Sequence, residues 1–233
     1  MLIVIYTLLT IHLGCIMGSL YMHRYAIHRQ YEVKPWFEKT MKVMYWILLE
    51  GVPTDFIVQH RKHHELSDSY NDPHSPRFGY WSLLRSCLIP SFFVSYQLSL
   101  SPEDYKRYSV EPSDSFIEAN PKLGVLLLLI VNIALFSWWG IASWIVHLFT
   151  VNFLTITTIT VFGHAHGYKN FELGDYTTNI VPIGILSIGE ELHNNHHSDS
   201  RRCNYAIKDN EFDLGYFYLK ILEKLDLVKL KER

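Results

Sequence analysis

The sequence predicts an all-α integral membrane protein with about three transmembrane helices, further helices at the membrane interface and a cytosolic cap rich in histidine. Three observations predict this fold class. Residues 2–22 carry no Asp, Glu, Lys or Arg, residues 123–168 also carry none, and histidines cluster outside these two stretches. A helix needs about 20 apolar residues to cross the hydrocarbon core. Both stretches are therefore long enough to supply spans.

The composition fits a single domain over residues 1–233. With 48% hydrophobic and 15% aromatic residues, the chain can fill a core or membrane spans. The 21 Lys and Arg and 23 Asp and Glu give a net charge of −2, which favours no nucleic acid partner. Cys15, Cys87 and Cys203 are odd in number and lack Cys-x-x-Cys spacing. They indicate neither a disulfide framework nor a thiolate metal site, and a location facing the reducing cytosol is compatible with them.

Three spans are predicted, at 2–22, 123–139 and 141–163. A cleaved signal peptide is the alternative for the first, but the stretch has no basic segment before it and runs directly into His23. The second and third spans form a helical hairpin. Its turn falls at Ser137–Gly140, where two tryptophans suit the membrane interface.

The distribution of basic residues predicts the orientation of these spans. If the chain crosses once at its start and twice at the hairpin, all 21 Lys and Arg fall on one side of the membrane. The positive-inside rule assigns that side to the cytosol and the N-terminus to the outside. The cytosolic cap then comprises residues 23–122 and 164–233, and every histidine cluster lies on one membrane face.

Four remaining segments complete the prediction. Met41–Gln59 and Gly79–Leu98 look apolar but contain charges and proline, so each is expected to be a helix in or under the interface rather than a span. Ser99–Lys122 is expected to be a solvated connector without chemistry. Glu211–Leu230 has the pattern of an amphipathic helix that packs on the cap or the membrane surface.

Eight of the 13 histidines fall in three short clusters. The clusters are His23-Arg-Tyr-Ala-Ile-His28, His60-Arg-Lys-His63-His64 and His193-Asn-Asn-His196-His197. On a helix, positions i, i+3 and i+4 share a face, whereas neighbours such as His63 and His64 differ by about 100°. One helix can therefore serve two metal ions, which predicts a dinuclear centre. His23 and His28 are expected to diverge on a regular helix and to ligate different ions.

The donor set favours redox iron. Imidazole suits Zn, Cu, Fe and Ni, and eight or more nitrogens without a thiolate exceed the needs of a four-coordinate structural zinc. His12, His74 and His147 stand alone in the sequence and are expected to be ordinary structural residues.

Further motifs accompany the clusters. They are Gly51-Val-Pro53, Ser67-Asp68, Asp72-Pro-His-Ser-Pro76, Gly189-Glu-Glu-Leu-His193, Asp213-Leu-Gly215 and Leu225-Asp-Leu-Val228. With the histidine clusters, they resemble the membrane fatty acid desaturases of the stearoyl-CoA type over most of the chain. Histidine clusters alone would also admit hydroxylases, but the combination with these motifs is far more specific.

The resemblance implies nine iron ligands. Eight are the clustered histidines His23, His28, His60, His63, His64, His193, His196 and His197. The ninth is expected after the last span and is assigned to His164, because His164-Ala-His-Gly167 followed by Tyr and Lys is similar to the family pattern. His166 is the alternative.

The sequence departs from the family pattern at three points. Thr160 stands where the family usually has an asparagine that holds a water near one iron, although a hydroxyl could still bind that water. One span precedes the first cluster where the family usually has two, which moves the N-terminus to the other side but not the active site. Phe56 replaces a common tryptophan.

The resemblance implies that two Fe ions and O₂ introduce a cis double bond into a saturated acyl chain, near its middle, with no catalytic side chain beyond the metal centre. The chain would be carried by CoA or a lipid and held in a narrow apolar tunnel, and Arg61, Lys62, Arg201 and Arg202 would meet carrier phosphates or lipid headgroups. The sequence shows no haem-binding or flavin-binding module, so an external donor, cytochrome b5 or ferredoxin, would supply two electrons.

Carboxylates commonly orient metal-bound imidazoles through the second ring nitrogen. The candidates for this role are Asp68, Asp72, Asp175, Glu190 and Glu191, with Glu190 ranked first, and Asn194 and Thr160 are added as polar neighbours of the centre. A related diiron hydroxylase or acyl oxidase is the nearest alternative function. A histidine-rich metal transporter is a remote one, since it predicts ligands inside the spans.

Overall fold

The computed structural model describes residues 1–49, 53–72, 81, 84, 88–90, 100–108 and 115–231. It is mostly helical. Within these ranges, two helices are long and apolar enough to cross a membrane, Leu2–Ile27 with 26 residues and Trp138–Phe162 with 25. The first consists of α1, Leu2–Ile16, which continues directly into a π-helical segment, Met17–Ile27.

The predicted hairpin is formed by α6, Leu123–Phe136, and α7, Trp138–Asn152, which continues as a second π-helical segment, Phe153–Phe162. The chain turns at Ser137, whose φ of 53° is left-handed. Helix α6 has 14 residues, about 21 Å at the rise of a helix. It is shorter than a hydrocarbon core of about 30 Å, so two of the helices in the described part of the chain are long enough to span it.

Close packing joins the apolar helices. A Cβ atom on Gly140 would lie 2.1 Å from the carbonyl oxygen of Asn132, so α6 and α7 approach more closely than any side chain permits. The hydroxyl of Tyr6 in α1 donates to Oδ1 of Asn132 at 2.7 Å. His147 Nε2 lies 2.8 Å from the Leu48 carbonyl oxygen, a structural contact that matches its expected role.

The single helix expected over Met41–Gln59 is wrong. The structure has two helices there, α2 at Pro35–Leu48 and α3 at Pro53–Leu66. Leu49 is extended, with φ −125° and ψ 164°, and ends α2. Proline fits the first turn of a helix but not its interior, so Pro53 begins a new helix. This break directs α3 and its histidines independently of α2.

The connector expected over Ser99–Lys122 contains two short helices, α4 at Pro102–Arg107 and α5 at Phe116–Ala119. The expectation of a loop is corrected because Ser101 and Asp104 form a capping box that stabilises the first turn of α4. Most of the interfacial helix expected over Gly79–Leu98 lies outside the described residues, as do His74 and Cys87.

The cap is held by short strands around α8, His193–Ser198, and α9, Leu214–Lys224. Strands β1, Tyr31–Val33, and β4, Val228–Leu230, pair antiparallel, and β2, Ile183–Gly184, pairs in parallel with β3, Phe212–Asp213. The helix expected over Glu211–Leu230 is therefore shorter than predicted. Its tail becomes β4 because pairing with β1 satisfies the backbone there.

The main hydrophobic core lies beneath the cap, where the first long helix, α2, α6, α7 and α9 meet. Its fully buried members include Leu20, Met41, Val125 and Leu219. This core fixes the cap ends of the long helices, which carry the first histidine cluster and the segment leading to His164.

Candidate metal centre

Five histidines converge in what we call the first histidine group: His23, His28, His60, His64 and His196. One nitrogen from each lies within 4.8 Å of the others. The Nε2 atoms of His23 and His60 are 3.0 Å apart, and those of His60 and His64 are also 3.0 Å apart. His196 Nε2 lies 3.1 Å from that of His64. Three separate segments of the chain thus contribute to one cluster of nitrogens.

The expectation that the side chains of His23 and His28 diverge is wrong, and they do not fall in different groups. Their Nε2 atoms lie 3.2 Å apart in the same group. The reason is the π-helical segment, in which the His28 N–H donates to the His23 carbonyl five residues earlier at 3.1 Å. This pattern places residues five apart on one face, whereas an α-helix would not.

Four histidines form the second histidine group: His63, His164, His193 and His197. The Nε2 atoms of His164 and His193 are 2.9 Å apart. Because neighbours on a helix differ by about 100°, α3 sends His63 to this group and His60 and His64 to the first. Helix α8 divides its histidines in the same way, and the stacked rings of His64 and His197, 4.2 Å apart, join the two groups.

The spacing of the nitrogens in both groups suits ligands of a metal ion better than hydrogen bonds between imidazoles. A metal–nitrogen bond of about 2.1 Å places neighbouring octahedral ligands about 3.0 Å apart, and the nearest nitrogen pairs lie 2.9 to 3.2 Å apart. Two neutral imidazoles can share only one hydrogen between facing nitrogens. Among the described residues, the buried Nε2 of His197, directed into the second group, has no hydrogen-bond partner.

Electrostatics also favour metal binding. Burial, reinforced by repulsion between neighbouring imidazoles, lowers the pKa of six of the grouped histidines well below the ordinary value of 6.5. This holds for His28, His60, His64, His193, His196 and His197. Neutral imidazole is the form that ligates a metal.

Carboxylates hold the outer nitrogens of the second group. Asp72 Oδ2 lies 2.9 Å from His63 Nδ1, and both oxygens of Asp68 lie 3.1 Å from His164 Nδ1. Asp175 reaches His197 Nδ1 at 3.6 Å. These three acids were candidates from the sequence, and each lies where it can orient a histidine.

Glu190 has the corresponding position in the first group. Its Oε2 lies 2.7 Å from His23 Nδ1, although the angle does not make a linear hydrogen bond. The side chains of two other candidates make their hydrogen bonds, among the described residues, to groups other than the grouped histidines. Glu191 accepts the N–H groups of Ser187 and Gly189, and Asn194 accepts from the backbone of the segment at Asn170.

Thr160 and His166 lie outside both groups. Thr160 is half-buried in the second π-helical segment, and its hydroxyl makes no hydrogen bond to the described histidines. His166 is exposed, whereas His164 is buried within the second group. His12 instead contacts the Tyr218 hydroxyl at 2.8 Å, consistent with a structural role.

Sequence reasoning missed the buried charges behind the first group. Arg24 is fully buried, and Asp213 and Ser19 are nearly so. A signal was present, because Arg24 follows a stretch of 22 residues with no charged side chain, and an ionisable residue at the end of an apolar helix marks a functional candidate.

A basic cavity of about 400 Å³ opens onto the first group at His28 and His64. Arg29, Arg61 and Arg201 line it. The guanidinium of Arg61 is already used, since it donates to the carbonyls of Ile27 and Tyr108 at 2.8 Å. Lys62 likewise pairs with Asp104 at 3.1 Å. Both side chains thus have partners within the protein, and the carrier phosphates suggested by the sequence stay a prediction.

Comparisons with known proteins agree with this histidine-rich centre. Residues 1–209 match the fatty acid desaturase family. The sn-1 stearoyl-lipid 9-desaturase of Anabaena variabilis is 28% identical over 229 residues, which cover 95% of this chain and 80% of that protein. The Delta-9 acyl-lipid desaturase 1 of Arabidopsis thaliana is 27% identical, covering 88% and 67%. An acyl-CoA 5-desaturase of Anemone leveillei is 28% identical, covering 94% and 68%.

The fold and site define a helical protein with apolar helices and a paired histidine centre. The chain belongs to the fatty acid desaturase family and is an oxidoreductase.

Proposed function

We propose that the protein is a diiron, O₂-dependent desaturase that introduces a cis double bond near the middle of a saturated acyl chain. The carrier is CoA or a lipid, since the relatives are named for both kinds of substrate. The observation that carries the proposal is the pair of adjacent histidine groups, five nitrogens in one and four in the other. All nine ligands proposed from the sequence are members of these two groups.

The overall reaction removes one hydrogen from each of two neighbouring methylene carbons. O₂ accepts these two hydrogens, two electrons and two protons, and leaves as two waters. Two iron ions supply the oxidising power that an unactivated C–H bond requires. The chain's own residues hold these ions: His23, His28, His60, His64 and His196 on one side, and His63, His164, His193 and His197 on the other.

The remaining residues position these ligands. Carboxylates of Asp68, Asp72 and Glu190 fix the ring orientation of the histidines that they contact. Thr160 is proposed to bind a water near one of the ions, the role that the family resemblance implies for its position. An apolar tunnel between the membrane helices and the cap would fix which carbon pair is oxidised.

The protein is proposed to cross the membrane three times with its active site facing the cytosol. The absence of Lys and Arg before Arg24 and in residues 123–168 supports this orientation. Cytochrome b5 or ferredoxin would deliver electrons from the cytosolic side. Reporter fusions test the topology: the N-terminus and Ser137 should report outside, and the exposed Asp209 of the cap should report the cytosol.

The activity is tested by the fatty acid profile of host cells that express the chain with an electron donor. We compare the parent protein with a His63→Ala, His64→Ala double variant, which removes one ligand from each group. His166→Ala is the matched control, because it removes an exposed histidine two residues from His164. Gas chromatography with mass spectrometry should show a new monounsaturated acid with the parent and the control, and none with the double variant.

Two results would contradict the proposal. A hydroxylated acid in place of the alkene would assign the protein to the related hydroxylases. No new product, with membrane expression and donor reduction both verified, would contradict desaturation. The mass spectrum of a derivatised product would also give the position of the double bond.

A further inference from the structure

We propose that Arg24 is a positioning residue for the first histidine group. It holds His23 through Ser19 and Glu190, and His196 through Tyr205. This inference rests on the proposed dinuclear centre and concerns residues that position its histidines. Among the described contacts, the Arg24 side chain makes none with a nitrogen of either histidine group, so its effect on the centre must pass through these intermediates.

Arg24 is itself fixed by a large set of contacts. Its side chain is fully buried. Two guanidinium nitrogens donate to the two carboxylate oxygens of Asp213 at 3.0 and 2.9 Å. The same nitrogens donate to the backbone carbonyls of Cys203 at 2.7 Å and Ile188 at 3.2 Å. A bidentate pair with further backbone acceptors defines both the position and the plane of the guanidinium.

One path runs from Arg24 to His23. Arg24 Nε donates to the Ser19 hydroxyl at 3.2 Å, and that hydroxyl donates to Glu190 Oε1 at 2.6 Å. Arg24 Nε also lies 3.5 Å from the same carboxylate oxygen. The other oxygen of Glu190 lies 2.7 Å from His23 Nδ1. The group that holds Nδ1 determines where Nε2 of a ligating histidine points, so Arg24 and Ser19 set the direction of His23.

A second path runs from Arg24 to His196. The guanidinium carbon lies 3.9 Å from the centre of the Tyr205 ring, a cation–π contact. The Tyr205 ring lies 4.7 Å from that of His196. Tyr205 is fixed at its far end because Gln30 donates to its hydroxyl at 2.9 Å. Both paths end at ligands of the first group, and among the described contacts neither reaches a ligand of the second.

Two glycines provide the space that Arg24 occupies. A Cβ atom on Gly189 would lie 2.6 Å from an Arg24 guanidinium nitrogen, and one on Gly215 would lie 2.8 Å from its guanidinium carbon. Gly189 also has a left-handed φ of 93°, which favours glycine. The backbone is therefore shaped closely around this side chain, and no larger residue fits at either position without moving it.

The experiment measures metal binding by each group rather than activity. The full chain in detergent, stripped of metal, is titrated with Co²⁺, whose visible absorption depends on its ligands. His28→Ala and His164→Ala each remove one ligand from one group and assign the spectral signature of each site. The test variants are Arg24→Lys, which loses the planar fork, and Ser19→Ala, which removes the hydroxyl between Arg24 and Glu190 together with its longer hydrogen bond to the Ile188 carbonyl. Exposed Arg202→Lys is the matched control.

We expect two Co²⁺ ions per parent chain. Arg24→Lys should weaken binding at the first group by about 10-fold or more, the range for outer hydrogen-bond partners of metal ligands. Ser19→Ala should weaken the same site by a smaller factor, since the second path remains. The second group and Arg202→Lys should keep the parent affinities. We expect Ser19→Ala to fold because alanine is a good helix former. If Arg24→Lys does not fold, the titration of Ser19→Ala tests the positioning role by itself.

Equal weakening at both groups would overturn the inference, because it would make Arg24 a general structural residue. Unchanged binding at the first group in the folded variants would overturn it as well. A parent chain that binds fewer than two ions would instead contradict the proposed dinuclear centre, and the inference would fail with it. The parent titration thus separates failure of the function from failure of the positioning role.

Discussion

Removing the carboxylate of Asp72 should weaken metal binding at the second histidine group while sparing the first. The side chain is fully buried. One of its oxygens lies 2.9 Å from His63 Nδ1 and accepts the Asp68 N–H at 2.8 Å. Asp68 has a left-handed φ of 58° and itself holds His164. Asp72 therefore supports one ligand directly and a second through the backbone of Asp68.

The magnitude follows from these two contacts. A buried donor that loses its acceptor costs roughly 1–3 kcal/mol, and an outer partner of a metal ligand is worth about 10- to 100-fold in affinity. Asp72→Ala removes both contacts, and we expect about 100-fold weaker binding at the second group. Asp72→Asn keeps an acceptor oxygen without its charge. Since charged acceptors make bonds about twice as strong as neutral ones, we expect a loss of about 10-fold.

The assay is the Co²⁺ titration with the two site signatures assigned, run beside the fatty acid profile. Asp209→Ala is the matched control, because that carboxylate is exposed on the cap. Parent affinity at the second group in Asp72→Ala would refute the reasoning. So would a loss that falls equally on both groups, since the contacts described for Asp72 lead to histidines of the second group.

Three further predictions concern other parts of the centre. Gly163→Ala should weaken metal binding at the second group, because its Cβ would lie 2.4 Å from the Ile159 carbonyl oxygen and 3.0 Å from the His193 ring; an unchanged titration would contradict this. Hydrogen bonds from backbone N–H groups and from Tyr168 overcome the effect of burial and lower the pKa of Glu211 below 4.5. The stability that this carboxylate contributes is therefore present above pH 4.5 and lost as pH falls through its folded pKa. The melting temperature of Glu211→Gln should thus lie below that of the parent at pH 7, and the difference should vanish in acid. Finally, chelation of the bound metal should lower the melting temperature and abolish alkene formation together, and readdition of Fe²⁺ under reducing conditions should restore both.

The long apolar helices were accessible from the sequence because hydrophobicity over some 20 residues is a local property. The turn at Ser137 could be anticipated in the same way. The break at Leu49 could not, although Pro53 was visible, because the apolar residues on both sides suggest one continuous helix. The length of α6 depends on where the loop before it joins the cap, which is a tertiary property.

The histidine centre was predictable in its members but not fully in its geometry. The shared helical face predicted for His60, His63 and His64 holds for His60 and His64, four residues apart, but not for His63, which lies in the second group. The spacing of five between His23 and His28 led to the wrong prediction that their side chains diverge, because α-helical geometry was assumed and the segment is π-helical. We find no pattern in the local sequence that predicts this change from α-helix to π-helix. In the proposed centre, the π-helical turn would let two histidines five residues apart face one ion together with the other three histidines of the group.

The burial of acidic side chains around the grouped histidines has a physical explanation in the proposed centre. Asp68, Asp72 and Glu190 are almost completely buried, and Asp175 is mostly so. Each approaches the outer nitrogen of a grouped histidine. Four carboxylates left without positive charge in such a site would oppose folding strongly. Two divalent ions carry the same formal charge with opposite sign, so metal binding neutralises the site. The Arg24–Asp213 pair has no net charge. It can therefore position the first histidine group without changing the charge balance between the carboxylates and the ions. Metal binding and folding of the cap are therefore expected to be coupled.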